Sequence, residues 1–196
     1  GGAAMILQAL TKYYDALLTQ GAISPPGWCD AKVSYALHIG DNGELLDVFS
    51  LKQPSPDGKR EVPQILRVPE QVKKASNIAS NFLCCNSSYF LGIDTKGKPA
   101  RTAKCFTAAR ALHEAVLANV DSPAARAVLT YFARWEPDKA AAHPALQETL
   151  SDIIKGANLV FWVNGGYAQQ DPAVCAAWED FRGEEEARCG RCLVTG

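Results

Sequence analysis

The segment from Val33 to Leu51 constrains the fold more than any other part of the chain. Val33, Tyr35, Leu37 and Ile39 alternate with Ser34, Ala36 and His38, and a period of two sends the two sets to opposite faces of a strand. Gly40-Asp41-Asn42-Gly43 then gathers turn formers that reverse the chain into a second extended stretch, Leu45 to Leu51. The pattern predicts a β-hairpin, with a third strand at Gln64 to Val68. Between them, Pro54, Pro56 and Gly58 punctuate Gln53 to Arg60 too heavily for regular structure and predict an exposed loop.

Helical spacing dominates elsewhere. Ile6, Leu10, Tyr13 and Leu17 follow a 4-3-4 rhythm and predict an amphipathic helix that Gly21 ends. Pro69 to Gly92 is irregular, with polar residues between the apolar anchors Ile78, Phe82, Leu83 and Phe90. Thr102 to Leu117 places Cys105, Ala109, Leu112 and Val116 on one helical stripe. Asp121-Ser122-Pro123 opens a helix running to Ala133, since proline is tolerated where its missing N–H has no partner. Pro144 to Lys155 reads as a further helix stopped by Gly156, Leu159 to Val163 as a strand, Gly165-Gly166 as a turn and Pro172 to Phe181 as a last helix. The expected class is α+β, a small antiparallel sheet near the amino terminus with a mostly helical remainder, sheet-rich over 5–100 and helix-rich over 101–188.

With 47% hydrophobic residues, 196 residues suffice for one sizeable core or two small ones sharing an interface. No apolar run approaches the roughly 18 residues of a membrane span. Gly1-Gly2-Ala3-Ala4 ahead of Met5 looks like a cloning scar, so Met5 is the expected natural start. Seven cysteines, an odd number without scaffold spacing, point to a reducing cytoplasm.

Charge is distributed unevenly. The stretch from Lys52 to Lys104 holds ten Lys/Arg against Asp57, Glu61, Glu70 and Asp94, a formal +6, although the whole chain carries only −1. Such a segment attracts polyanions, of which the nucleic-acid backbone is the commonest. Asp171, Glu179, Asp180 and Glu184 to Glu186 face a single Arg182. That acidic block would repel DNA, and is expected on a distant face, on a solvated helix or against another protein.

Candidate chemistry narrows from there. Cys189-Gly190-Arg191-Cys192 has the spacing of half a zinc ribbon, but Cys84-Cys85 and three scattered histidines do not complete it, so no metal is expected. His38, His113 and His143 stand in no nucleophile–base motif, and no phosphate-cradling glycine loop is present, so neither catalysis nor a cofactor is expected. Trp28, Trp135, Trp162 and Trp178 are spread along the chain and predict core packing rather than a base-stacking platform. Lys73-Lys74-x-Ser76-Asn77 carries the sharper reading, because lysines neutralise phosphates while Ser and Asn donate to phosphate oxygens, and an Asn amide can pair with adenine.

A family resemblance runs through the chain in one register. Met5-Ile6-Leu7-Gln8-Ala9-Leu10 with Tyr13-Tyr14, Pro25-Pro26-Gly27-Trp28 leading to Lys32-Val33-Ser34-Tyr35, the block from Val68-Pro69-Glu70 to Asn81-Phe82-Leu83-Cys84, and terminal Cys192-Leu193-Val194-Thr195-Gly196 together resemble the large subunit of the type I-C CRISPR Cascade complex. The family protein is longer, so 5–196 would be its amino-terminal domain. The resemblance implies an RNA-guided complex in which guide pairing reads the target while this subunit inspects the protospacer-adjacent motif (PAM) in duplex DNA. Implied partners are target double-stranded DNA, guide RNA, other Cascade subunits, a recruited helicase-nuclease that performs the cleavage, and phage-encoded inhibitors; no membrane is implied. Where resemblance and charge coincide, Lys73, Lys74, Ser76, Asn77, Asn81 and Asn86 are the expected DNA contacts, supported by Lys96, Lys98 and Lys104. The alternative is an interaction scaffold whose basic loop grips guide RNA or a neighbouring subunit.

Overall fold

A computed structural model describes residues 24–72 and 77–195, with side chains through residue 188. The expected helix at Met5 to Leu17, and Lys73, Lys74 and Ser76, lie outside the described residues. The hairpin forms where alternation placed it: β2 (Tyr35–Ile39) pairs antiparallel with β3 (Leu45–Ser50), slipping register at His38/Ile39. Its turn is built against a helix. Gly43 has φ +76°, and a Cβ there would stand 2.3 Å from the Tyr131 backbone nitrogen, so only glycine fits.

Val33 belongs instead to a preceding strand, β1 (Trp28–Val33), which pairs with β6 (Gln64–Pro69) as a separate two-stranded ribbon. The stretch expected to be a loop carries a small hairpin, β4 (Gln53–Pro54) with β5 (Glu61–Val62). Its prolines are compatible because each strand is two residues long and has no second neighbour.

The main sheet draws a strand from the helix-rich half. β8 (Leu159–Val163) lies parallel to β2, and β7 (Cys84–Cys85) and β9 (Gly166–Tyr167) pair along its other edge. Buried between neighbours, β8 reads Leu-Val-Phe-Trp-Val, the continuous apolar run of a central strand.

Five α-helices complete the described chain: α1 (Ser87–Phe90), α2 (Pro99–Leu117), α3 (Pro123–Arg134), α4 (Leu150–Ile153) and α5 (Pro172–Thr195). The helix opens at Pro123 as expected, and Ser122 caps α3 through the Ala125 N–H at 3.1 Å. The helix expected over Pro144 to Lys155 is broken into a 3-10 turn at Pro144–Leu146 and the single turn of α4. Gln147 causes the break by donating back to the Ala141 and His143 carbonyls, at 3.1 and 2.8 Å, and thereby holding the tighter turn. The last helix runs well past Phe181, through the acidic block.

The large core lies between one face of the sheet and the helices, where Phe82, Phe90, Tyr131, Phe132, Phe161 and Trp178 are buried together. The ribbon side holds a smaller cluster of Val33, Ala36, Leu51, Val68, Cys84 and Val160. Cys84 and Cys85 therefore face opposite clusters, as neighbours on a strand must. Among the described residues no helix is long and apolar enough to cross a membrane.

Candidate nucleic-acid interface

The cations of 52–104 have different fates. Lys52 donates to Asp152 Oδ2 at 2.5 Å, beside the Tyr35 hydroxyl, which donates to the same oxygen at 2.7 Å. Arg67 pairs with Asp30 across the β1–β6 ribbon at 3.4 Å. Lys59 and Arg60 sit on the exposed tip of the β4–β5 hairpin with Asp57 and Glu61, so that hairpin has no net charge.

The Lys52–Asp152 pair is half-exposed, and its stability effect is correspondingly small. The bond from Lys52 holds the Asp152 carboxyl below its ordinary range, and the same bond holds the Lys52 ammonium above its own. The carboxylate contribution is present above about pH 4 and lost as pH falls through the lowered folded value, whereas the ammonium contribution is lost only as pH rises beyond about 10.4. Asp152→Asn should therefore cost about 0.5–1 kcal/mol between those limits and flatten stability at both ends, measured by urea melts from pH 3 to 11.

The cations that remain together are at the start of α2. Lys96, Lys98, Arg101 and Lys104 are exposed, and none makes an ion pair among the described residues. Two acids stand nearby: Asp94 accepts from Ser88 Oγ at 2.7 Å and from the Lys96 N–H at 2.8 Å, and Asp138 lines a shallow pocket together with Asp94 and Lys98. Lys98 is the N-cap residue without a side-chain cap, Pro99 follows, and no acid stands in the first turn. Four positive side chains thus share the end of a helix whose dipole is itself positive, an arrangement unfavourable until an anion arrives. Arg101 was absent from the expected contacts. Its signal was its spacing, three residues from both Lys98 and Lys104, which puts all three on one helical face.

The polar residues of the 77–86 stretch divide by burial. Asn77 is exposed on a bend, and its neighbour Ile78 shares a shallow groove with Ala103, Lys104, Thr107, Ala108 and Ala111 of α2. The fold therefore brings Asn77 and Lys104 to the same side. Asn81 is only 6% exposed, its Oδ1 accepting from the Val72 N–H at 2.8 Å and its Nδ2 donating to Gln71 Oε1 at 2.7 Å. Asn86 caps α1 by accepting from the Ser88 N–H at 3.1 Å. Asn81 is held on both sides of its amide and Asn86 through its oxygen, whereas Asn77 is the exposed one of the three.

Acid lies closer to this region than its sequence position implied. Glu185 and Glu186 of α5, with Phe181 and Arg182, share a groove with Glu70, Val72 and Ser80. Arg182 pairs with both Glu70 and Glu186, and Asp171 caps α5 through the Ala173 and Val174 N–H groups. The block is a solvated helix face, but it borders the base of the 70–82 stretch rather than lying far away.

The histidines have structural tasks. His38 pairs with Asp47 at 3.0 Å, and His143 accepts from the Ala145 N–H. His113 is fully buried against Phe82, Phe90 and Phe132. Its Nδ1–H donates to the Ala109 carbonyl at 2.7 Å while Nε2 accepts from the Leu83 N–H at 3.0 Å. No three His, Cys, Asp or Glu residues converge as metal ligands among the described residues, and the side chains of Cys189 and Cys192 lie outside them. Trp28, Trp135 and Trp178 pack against the core, and Trp162 meets Phe49 and Tyr167 edge-on.

A model of the family described as CRISPR-associated protein (Cas_Csd1) matches residues 10–196. No curated protein matches the chain.

Proposed function

The chain belongs to the Cas_Csd1 family of CRISPR-associated proteins, which places its role in CRISPR defence, and from that premise we propose that it is part of the large subunit of a type I-C Cascade complex and binds target duplex DNA at the PAM. The observation that carries this reading is the group of four exposed cations without an ion pair among the described residues, Lys96, Lys98, Arg101 and Lys104, with Ile78, the neighbour of the exposed Asn77, lining one groove with Lys104. Cations of this kind grip phosphates without regard to sequence, whereas a short amide can discriminate base edges. Division of labour follows: the start of α2 holds the duplex, Asn77 inspects it, and guide pairing reads the rest. The domain binds and does not cleave, leaving strand scission to a recruited helicase-nuclease.

The acidic border of the 70–82 stretch favours a second reading, in which Lys73 and Lys74 serve a contact with a neighbouring protein subunit and never reach target DNA. Binding of assembled complex to labelled PAM and mutated-PAM duplexes decides between them. Asn77→Ala should cost roughly 1–3 kcal/mol on the correct PAM and narrow its advantage over the mutated one. Joint alanine substitution of Lys73, Lys74 and Asn77 should also lower the salt slope, by about 0.9 for each phosphate no longer neutralised. Without the nuclease, the duplex should remain intact in magnesium. Unchanged affinity and slope in the triple variant, with assembly normal, would leave the scaffold reading in place.

A further inference from the structure

Among the described residues, the chain from Asn77 to Leu83 has no helix or strand of its own before β7, so side chains must supply the orientation that backbone pairing supplies elsewhere. Asn81 does this on one side. From the end of β6 a chain of bonds runs through it: Gln71 Nε2 donates to the Pro69 carbonyl at 3.1 Å, Asn81 Nδ2 donates to Gln71 Oε1, and Asn81 Oδ1 accepts from the Val72 N–H. Directly after Asn81, Phe82 stacks on Trp178 at 5.1 Å and the Leu83 N–H is held by His113. The clamp needs an acceptor and a donor on one short buried side chain, which only a carboxamide offers at this reach.

We propose that Asn81 is a positioning residue for PAM reading, its amide fixing the orientation in which Asn77 meets the base edges. The inference rests on the DNA-binding reading above and deepens it. Asn77 lies four residues from the clamp and touches solvent, so a rotation at Asn81 is transmitted to it through irregular chain. Phosphate contacts at α2 stand on a separate helix and are indifferent to that rotation.

Two variants of the assembled complex test this. Asn81→Leu removes both bonds, whereas Asn81→Asp keeps the acceptor for Val72 and regains a bond from Gln71 only if that amide turns over and gives up its bond to the Pro69 carbonyl. Asn81→Leu should reduce discrimination between PAM and mutated-PAM duplexes by about 5- to 150-fold, the worth of one bidentate base contact. Asn81→Asp should recover part of that, with salt slope and affinity for PAM-less duplex unchanged in both. Combined with Asn77→Ala, Asn81→Leu should cost nothing further. Full discrimination in Asn81→Asp and Asn81→Leu, or losses that add in the double variant, would overturn the proposal; should Asn81→Leu fail to assemble, discrimination in Asn81→Asp decides alone. A wild-type complex that binds no duplex would instead remove the DNA-binding reading itself.

Discussion

Replacing His113 with alanine should destabilise the fold by about 3–5 kcal/mol, the range for deleting a buried aromatic ring. The ring touches three phenylalanines and is fully excluded from solvent. It also holds a backbone position that does not hold itself, for Leu83 has φ +57°, in the left-handed region where a non-glycine residue is strained. His113→Phe separates the two effects. Phenylalanine keeps the ring but orphans the Leu83 N–H, which should cost about 1–3 kcal/mol. Burial lowers the pKa of His113 from 6.5 to about 4, so between those values the unfolded chain takes up a proton that the folded one refuses. The neutral ring's contribution is complete above pH 6.5 and lost as pH falls toward 4, which amounts to about 3 kcal/mol of acid destabilisation. Denaturant melts across that window should show the slope in the wild type and not in His113→Phe. Equal slopes in both would mean that another group titrates.

His113 also shows what a sequence can carry. It stands in no nucleophile–base motif, and the structure gives it a structural task instead, but its partner Leu83 is thirty residues away and no spacing announces it. The β2–β3 hairpin and the start of α3 at Pro123 were legible because their causes are local: side-chain alternation, a turn, a proline in the first turn of a helix. The parallel pairing of β2 with β8 joins Tyr35 to Leu159. Each strand was legible, but their adjacency is a tertiary fact, and it places in the main sheet a strand from the half read as helical. The site divides the same way. Asn77 and Asn81 are one residue type four positions apart, and burial alone makes one a candidate reader and the other a clamp. The +6 of the segment was legible as a sum, yet part of it is cancelled by Asp30 and Asp152, which lie outside the segment and reach it only in the folded chain.

Removing the four cations at the start of α2 should produce the largest loss of DNA binding available to this domain. In Lys96→Ala, Lys98→Ala, Arg101→Ala and Lys104→Ala combined, four phosphates lose their partners, and the slope of log affinity against log salt should fall by roughly 3.6, at about 0.9 per phosphate. Between 50 and 200 mM salt the wild-type complex should then lose about a hundredfold more affinity than the variant, from a much tighter starting point. PAM and mutated-PAM duplexes should weaken equally, because phosphates carry no sequence. Stability should move the other way. At a positive helix end Lys98 at the N-cap and Arg101 in the first turn are each unfavourable by about 0.3–1 kcal/mol, and Lys98 supplies no cap that alanine would forfeit. The variant should therefore melt at the same temperature as the wild type or higher while binding far less DNA, a combination that misfolding cannot imitate. An unchanged salt slope would show that these side chains face solvent or another subunit, and the duplex would have to be held elsewhere.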